Sequence, residues 1–189
     1  MIVKVNRAPV LTLWGAVVAE RLGYDADAAL TLGKAVAGLN AQSKGRMLGI
    51  FGPPKAAERG VPPKKAGLGE EFWIEVCGRP VPAKDTPDGI RAVIKDQPID
   101  PDGVQRYLES KFGENLLTVR EAMVDLANAH EPERLAEVAY GLYERFRPQI
   151  ASGKRGWGQR GELSLALIRS LADPEHHPTL RHESPQVLG

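Results

Sequence analysis

The sequence predicts a mainly α protein: a multi-helix domain with an N-terminal helical hairpin and one small β-hairpin. Three observations lead there. Apolar residues recur at helical spacing in several separate stretches. Strict alternation occurs once, at Phe72 to Cys77. Gly and Pro gather between these stretches, where they act as breakers.

In the first helix Val10, Leu13, Trp14, Val17, Val18 and Leu22 share a face. Pro9 suits its first turn, where a missing N–H leaves nothing unpaired. Gly23 ends it. Asp25 is placed to cap a second helix, and Asp27 sits where the positive end of the helix dipole favours a carboxylate. Leu30, Leu32, Ala35, Val36 and Leu39 carry that helix's apolar stripe, with an extension to Met47 and Leu48 left open. Periodicity fails from Lys44 to Gly69, a stretch rich in Gly and Pro that reads as linker.

Phe72, Ile74 and Val76 form the buried side of a strand, which Gly78-Arg79 is expected to turn into a second one through Val81. A short helix is expected from about Asp88 to Ile94. Asp100-Pro101-Asp102 is a strong helix start, with cap, first-turn proline and dipole-end carboxylate in order. Further helices are read from Leu116 to Leu126, from Leu135 to Phe146 and from Leu163 to Leu171, separated by the loop Lys154 to Gly161. The expected organisation is a hairpin over 1–52, a basic linker over 53–69, a β-hairpin with helices over 70–172 and a disordered tail over 173–189.

Composition narrows the class. The 189 residues, 42% hydrophobic and 26% charged, suit a globular protein. The longest apolar run, Ala8 to Ala19, is broken by Pro9, Thr12 and Gly15 and is too short to span a membrane. The N-terminus lacks a signal-peptide pattern, and the single Cys77 excludes an internal disulfide, so a cytoplasmic bacterial-style protein is expected.

Charge is sorted along the chain although it nets to +1: residues 1–69 carry +6, 70–144 carry −8, 145–172 carry +5 and 173–189 carry −2. Two basic stretches are also rich in Gly or Pro, which makes their charge available to an outside anion. The first holds Lys44, Arg46, Lys55, Arg59, Lys64 and Lys65. The second holds Lys154, Arg155 and Arg160 with Trp157 among Gly153, Gly156, Gly158 and Gly161, a composition suited to phosphate contact and base stacking. An alternative for the second is that Trp157 folds back as an apolar plug while Arg155 and Arg160 reach the acidic block. The first fits a solvated linker equally well.

No motif specifies a reaction. His176, His177 and His182 lie in the tail, His130 stands alone, and no closed metal-ligand set is visible. Cys77 lacks an activating neighbour in sequence. Gly156-Trp157-Gly158-Gln159-Arg160-Gly161 matches a dinucleotide fingerprint only literally, for it follows a helix and not a strand. A DNA-reading hairpin is disfavoured because Asp25 and Asp27 stand at the end that meets bases. Neither cofactor nor metal is expected.

The stretch Arg7-Ala8-Pro9-Val10-Leu11-Thr12-Leu13-Trp14, continuing through Val17 to Gly23 and Ala28 to Gly33, with Gly156-Trp157-Gly158, resembles a family of uncharacterised bacterial proteins. The resemblance implies bacterial cytoplasmic origin and carries no activity. The expected function is therefore a non-enzymatic nucleic-acid-binding or nucleic-acid-associated protein that contacts phosphates without reading sequence. A protein-interaction or self-assembling (homo-oligomeric) module is the alternative, and an enzyme with an unrecognised pocket the third reading.

Overall fold

The structure, a computed structural model, describes residues 1–47, 71–150 and 160–173. Among these residues are six α-helices and two small antiparallel sheets. Strand β1 (Ile2–Asn6) leads directly into α1 (Arg7–Arg21), and α2 (Ala26–Met47) returns antiparallel to it. The turn uses Gly23 at φ +113°, a conformation that side-chain-bearing residues resist. Asp25 caps α2 as expected, its Oδ1 accepting from the Ala28 N–H at 2.8 Å.

Helix α1 is the axis of the core. Every residue from Pro9 to Ala19 is buried, so the helix is enclosed on all sides. Trp14, fully buried, donates its indole N–H to the Ala139 carbonyl at 2.9 Å and meets the Phe146 ring edge-on at 5.3 Å. Its contact with α2 is closer than ordinary side chains allow. A Cβ on Gly33 would stand 2.2 Å from the Thr12 carbonyl oxygen, and one on Gly15 would stand 2.9 Å from the Gly33 Cα. The two glycines let the backbones touch.

The β-hairpin expected from sequence is larger than two strands. Strands β2 (Phe72–Val76), β3 (Arg79–Thr86), β4 (Gly89–Ile94) and β5 (Gln97–Pro98) form an antiparallel meander in that order. Segment 88–94, expected to be helical, is therefore β4. Gly89, at φ +118°, suits the turn that opens it, the β-branched Ile90, Val93 and Ile94 suit a strand, and its ladder with β3 pairs Ala83 with Ala92 and Lys84 with Arg91. Two tight turns shape the meander. Cys77-Gly78 has φ of +49° and +72°, and Lys95-Asp96 has φ of +51° and +68°, the mirror-image conformations that match strand twist. The first turn is thus one residue earlier than Gly78-Arg79. Within β4 the Ala92 N–H donates to the Thr31 hydroxyl at 3.0 Å, fixing the meander to α2.

Helix α3 (Pro101–Phe112) starts at the expected cap, Asp100 accepting from the Asp102 N–H at 3.1 Å. Helices α4 (Leu116–Asn128) and α5 (Pro132–Phe146) follow. The last helix is shorter than expected, because Arg160–Ser164 forms β6 and only Leu165–Ala172 is helical, as α6. Strand β6 pairs with β1, Val3 opposite Leu163 and Asn6 opposite Arg160. The one small hairpin of the sequence reading is thus replaced by two sheets, and strand β1 precedes the hairpin of helices.

Helix α2 runs through Lys44 and Arg46 to Met47, into the stretch where periodicity fails and within the reach left open for its apolar stripe. Its Gly45 costs about 1 kcal/mol relative to Ala, too little to stop a helix already propagating. The basic linker 53–69 and all but Asp173 of the tail 173–189 lie outside the described residues.

Candidate functional site

Of the ten basic and aromatic residues singled out in the sequence, Lys55, Arg59, Lys64, Lys65, Lys154, Arg155 and Trp157 lie outside the described residues. Lys44 and Arg46 belong to the last turns of α2, and Arg160 is an exposed residue at the start of β6, so the last two residues of the expected loop, Arg160 and Gly161, are strand. The flanks of the two basic stretches are traceable to one end of the fold. Arg160 pairs with Asn6, beside the first residue of α1. Next to it Arg7 donates its Nε–H to the Pro148 carbonyl at 3.0 Å, just before Ile150, the last described residue ahead of the second stretch. From the other side Tyr140 on α5 donates its hydroxyl to Asn40 Oδ1 at 2.9 Å, two turns before α2 ends.

This end gathers arginines that sequence reasoning had not singled out. Arg7 comes from α1, Arg147 from the end of α5 and Arg79 from the start of β3. The Cys77-Gly78 turn aims Arg79 back at α2, where its Nη2 donates to Asn40 Oδ1 at 3.1 Å while its guanidinium lies 5.9 Å from the Tyr140 ring centroid. Arg7 is held below the ordinary guanidinium pKa, first by burial and second by the positive charge of Arg147. Among the described residues no carboxylate forms an ion pair with Arg7, Arg79 or Arg147. Four arginines elsewhere face carboxylates: Arg91 faces Asp27 at 3.8 Å, Arg106 faces Asp100 at 3.9 Å, Arg120 meets Glu20 at 2.6 Å and Arg134 meets Glu137 at 3.1 Å, whereas Arg21 donates to the His130 carbonyl.

Acidic residues collect at the other end of α2. There Asp27, Asp88, Asp100 and Asp102, with Thr86 and Arg91, line a cleft of about 530 Å³. Asp27 and Asn40 are separated by about 20 Å along the helix axis. The molecule is therefore polar along α2, with carboxylates where the helix begins and guanidinium groups where it ends.

Two nucleophile candidates are chemically quiet. Cys77 is buried, and burial pushes its thiol up to about 12, so no thiolate is present near neutrality. Tyr143, also pushed up by burial, fills the core between Tyr140 and Phe146. Among the described residues no group of three or more His, Cys, Asp or Glu is placed to hold a metal ion, and no helix is long and apolar enough to cross a membrane. No family model, curated protein or solved structure matches the chain.

The sequence signal for the arginine cluster was faint. Arg7 and Arg79 have no arginine near them in sequence and Arg147 has only Arg145, so only the fold makes neighbours of the three.

Proposed function

We propose that the protein binds polyanions, nucleic acid foremost, through the arginine-rich end of α2, without reading base sequence and without catalysing a reaction. One observation carries the reading: three arginines from distant segments meet there with no described carboxylate partner, beside the flanks of both basic stretches. Like charges brought together in partial burial cost free energy, and a phosphate backbone offsets that cost while releasing its own counterions. By composition the two stretches suit the same ligand, Lys154, Arg155 and Arg160 offering charge for phosphates and Trp157 a ring for stacking.

The test is affinity for labelled single- and double-stranded DNA and RNA across salt concentration. Binding is expected to weaken as salt rises, and replacing Arg147 and Arg160 together by Ala flattens the slope of log affinity against log salt by roughly one to two. Binding that is absent at low salt, or indifferent to salt, refutes the reading.

The separation of charge along α2 favours a second reading, head-to-tail self-association with the arginine end of one copy on the acidic cleft of another. Such an assembly dissolves as screening rises, and replacement of Asp100 and Asp102 by Asn abolishes it while leaving nucleic-acid binding intact. Light scattering across salt concentration separates the two.

A further inference from the structure

We infer that Asn40, Arg79 and Tyr140 form a seat for one phosphate group at the arginine end of the fold. Asn40 is only 2% exposed, yet its Nδ2 has no hydrogen-bond partner. A buried amide donor left unpaired is rare and is unfavourable unless something outside the chain satisfies it. The orientation of the amide is determined by its neighbours. Arg79 can only donate, so the atom facing it must be the oxygen, and Tyr140 donates to that same oxygen. The Nδ2 group beside that oxygen bonds to neither, and its hydrogens are unused.

The guanidinium of Arg79 carries five N–H donors, and Asn40 takes one. Unused donors therefore outnumber acceptors in the cluster, which selects an oxyanion and rejects a cation or a neutral acceptor-poor group. Arg7 adds a second positive charge close to Tyr140 and Tyr143, and Arg147 a third close to Arg7. That excess favours a phosphate over a singly charged carboxylate. The apolar side of the seat is the Tyr140 ring, over which Arg79 lies. The phosphate has two sources, the backbone of a nucleic acid or a free phosphate compound. The first rests on the proposed function; the second does not.

The experiment follows the Asn40 side-chain amide by NMR in the full ¹⁵N-labelled chain, with its signals assigned by their loss in Asn40→Asp. Inorganic phosphate is expected to shift the amide pair saturably, and chloride at matched ionic strength to leave it in place. Asn40→Asp keeps an acceptor for Arg79 and Tyr140 but replaces the donor by a carboxylate oxygen, and weakens phosphate binding at least tenfold. If that variant does not fold, Arg79→Gln carries the same expectation. An amide that ignores phosphate, or answers chloride equally, overturns the seat, as does undiminished phosphate binding by a folded variant.

An oligothymidylate then separates the sources. If it shifts the same amide, the phosphate is a backbone phosphate. If it binds with a steep salt slope but leaves the amide unmoved, the nucleic-acid source is ruled out while the polyanion reading stands. If inorganic phosphate shifts the amide and no oligonucleotide binds, the seat stands for a free phosphate compound and the polyanion reading falls.

Discussion

Replacing Gly33 by Ala tests the reasoning about the α1–α2 contact, because two well-known effects oppose each other there. In an open helix position the change stabilises by about 1 kcal/mol through backbone entropy. At Gly33 the new Cβ would stand 2.2 Å from the Thr12 oxygen, 2.7 Å from the Ala16 nitrogen and 3.3 Å from the Ala16 Cα, where ordinary contact begins near 3.4 Å. All three are backbone atoms, so no side chain can rotate away. Relief requires the helices to part by roughly 1 Å, and α1, packed on every side, cannot yield without opening gaps elsewhere. Overpacking of this kind costs about 1–3 kcal/mol and sometimes more. We place the gross cost at about 3–4 kcal/mol, because the obstacle is backbone, and the net destabilisation at about 2–3 kcal/mol. At 2–4 °C per kcal/mol for a domain of this size, Tm falls by roughly 5–10 °C. Gly38 on the same helix provides the control, being exposed with no heavy atom within 4 Å of its ideal Cβ. Gly38→Ala should raise Tm by roughly 1–4 °C. Thermal and urea unfolding by circular dichroism read both, with an unchanged m-value as the check that only stability moved. A Gly33→Ala protein as stable as the parent refutes the close packing of the two backbones.

Two further predictions concern the meander and the core. Lys95 holds φ +51° with no glycine to ease it, so Lys95→Asn, which suits that turn position and retains Asp96, is expected to stabilise by roughly 0.5 kcal/mol, read as a higher urea midpoint. A lower midpoint contradicts the turn assignment. The Cys77 thiol has a folded pKa of about 12 against an ordinary value of 9.0, and Tyr143 is raised in the same direction, both by burial. A raised pKa on a group that is neutral when protonated stabilises the fold fully below the unfolded value and progressively less above it. Stability should therefore be flat through pH 8 with respect to these groups and fall between about pH 9 and 12, by up to about 1.4 kcal/mol per pH unit for Cys77. Cys77→Ala removes that share of the slope, and a slope unchanged by the substitution shows that the thiol is not buried in the folded state.

The hairpin of helices was legible in the sequence because its signals are local. Pro9 near one start, Gly23 at the turn, Asp25 as cap and the apolar spacing all act within a few residues of where they stand. The same holds for Asp100-Pro101 at α3. Strand β4 escaped although Pro87-Asp88-Gly89 marks a turn ahead of it, because its short apolar run fits a helix as readily as a strand and the turn that closes it, Lys95-Asp96, lacks a glycine. The β1–β6 ladder was illegible for a stronger reason. Each strand is only five residues long, and its partner lies at the opposite end of the described chain. A strand is defined by a neighbour that local pattern does not contain.

The candidate site divides in the same way. By itself the sequence determined that positive charge is concentrated in two stretches and that negative charge fills the middle, since counting requires no coordinates. It determined the two core helices too, because a helix satisfies its own backbone within a few residues. Only the tertiary structure decided that Arg7, Arg79 and Arg147 share one end while the carboxylates crowd the other, and that Asn40 is buried beside Arg79 and Tyr140 with a donor to spare. Those are relations between segments far apart in the chain. They arise from the turn at Cys77-Gly78, the Gly15–Gly33 approach and the β1–β6 pairing acting together, none of which any one segment specifies.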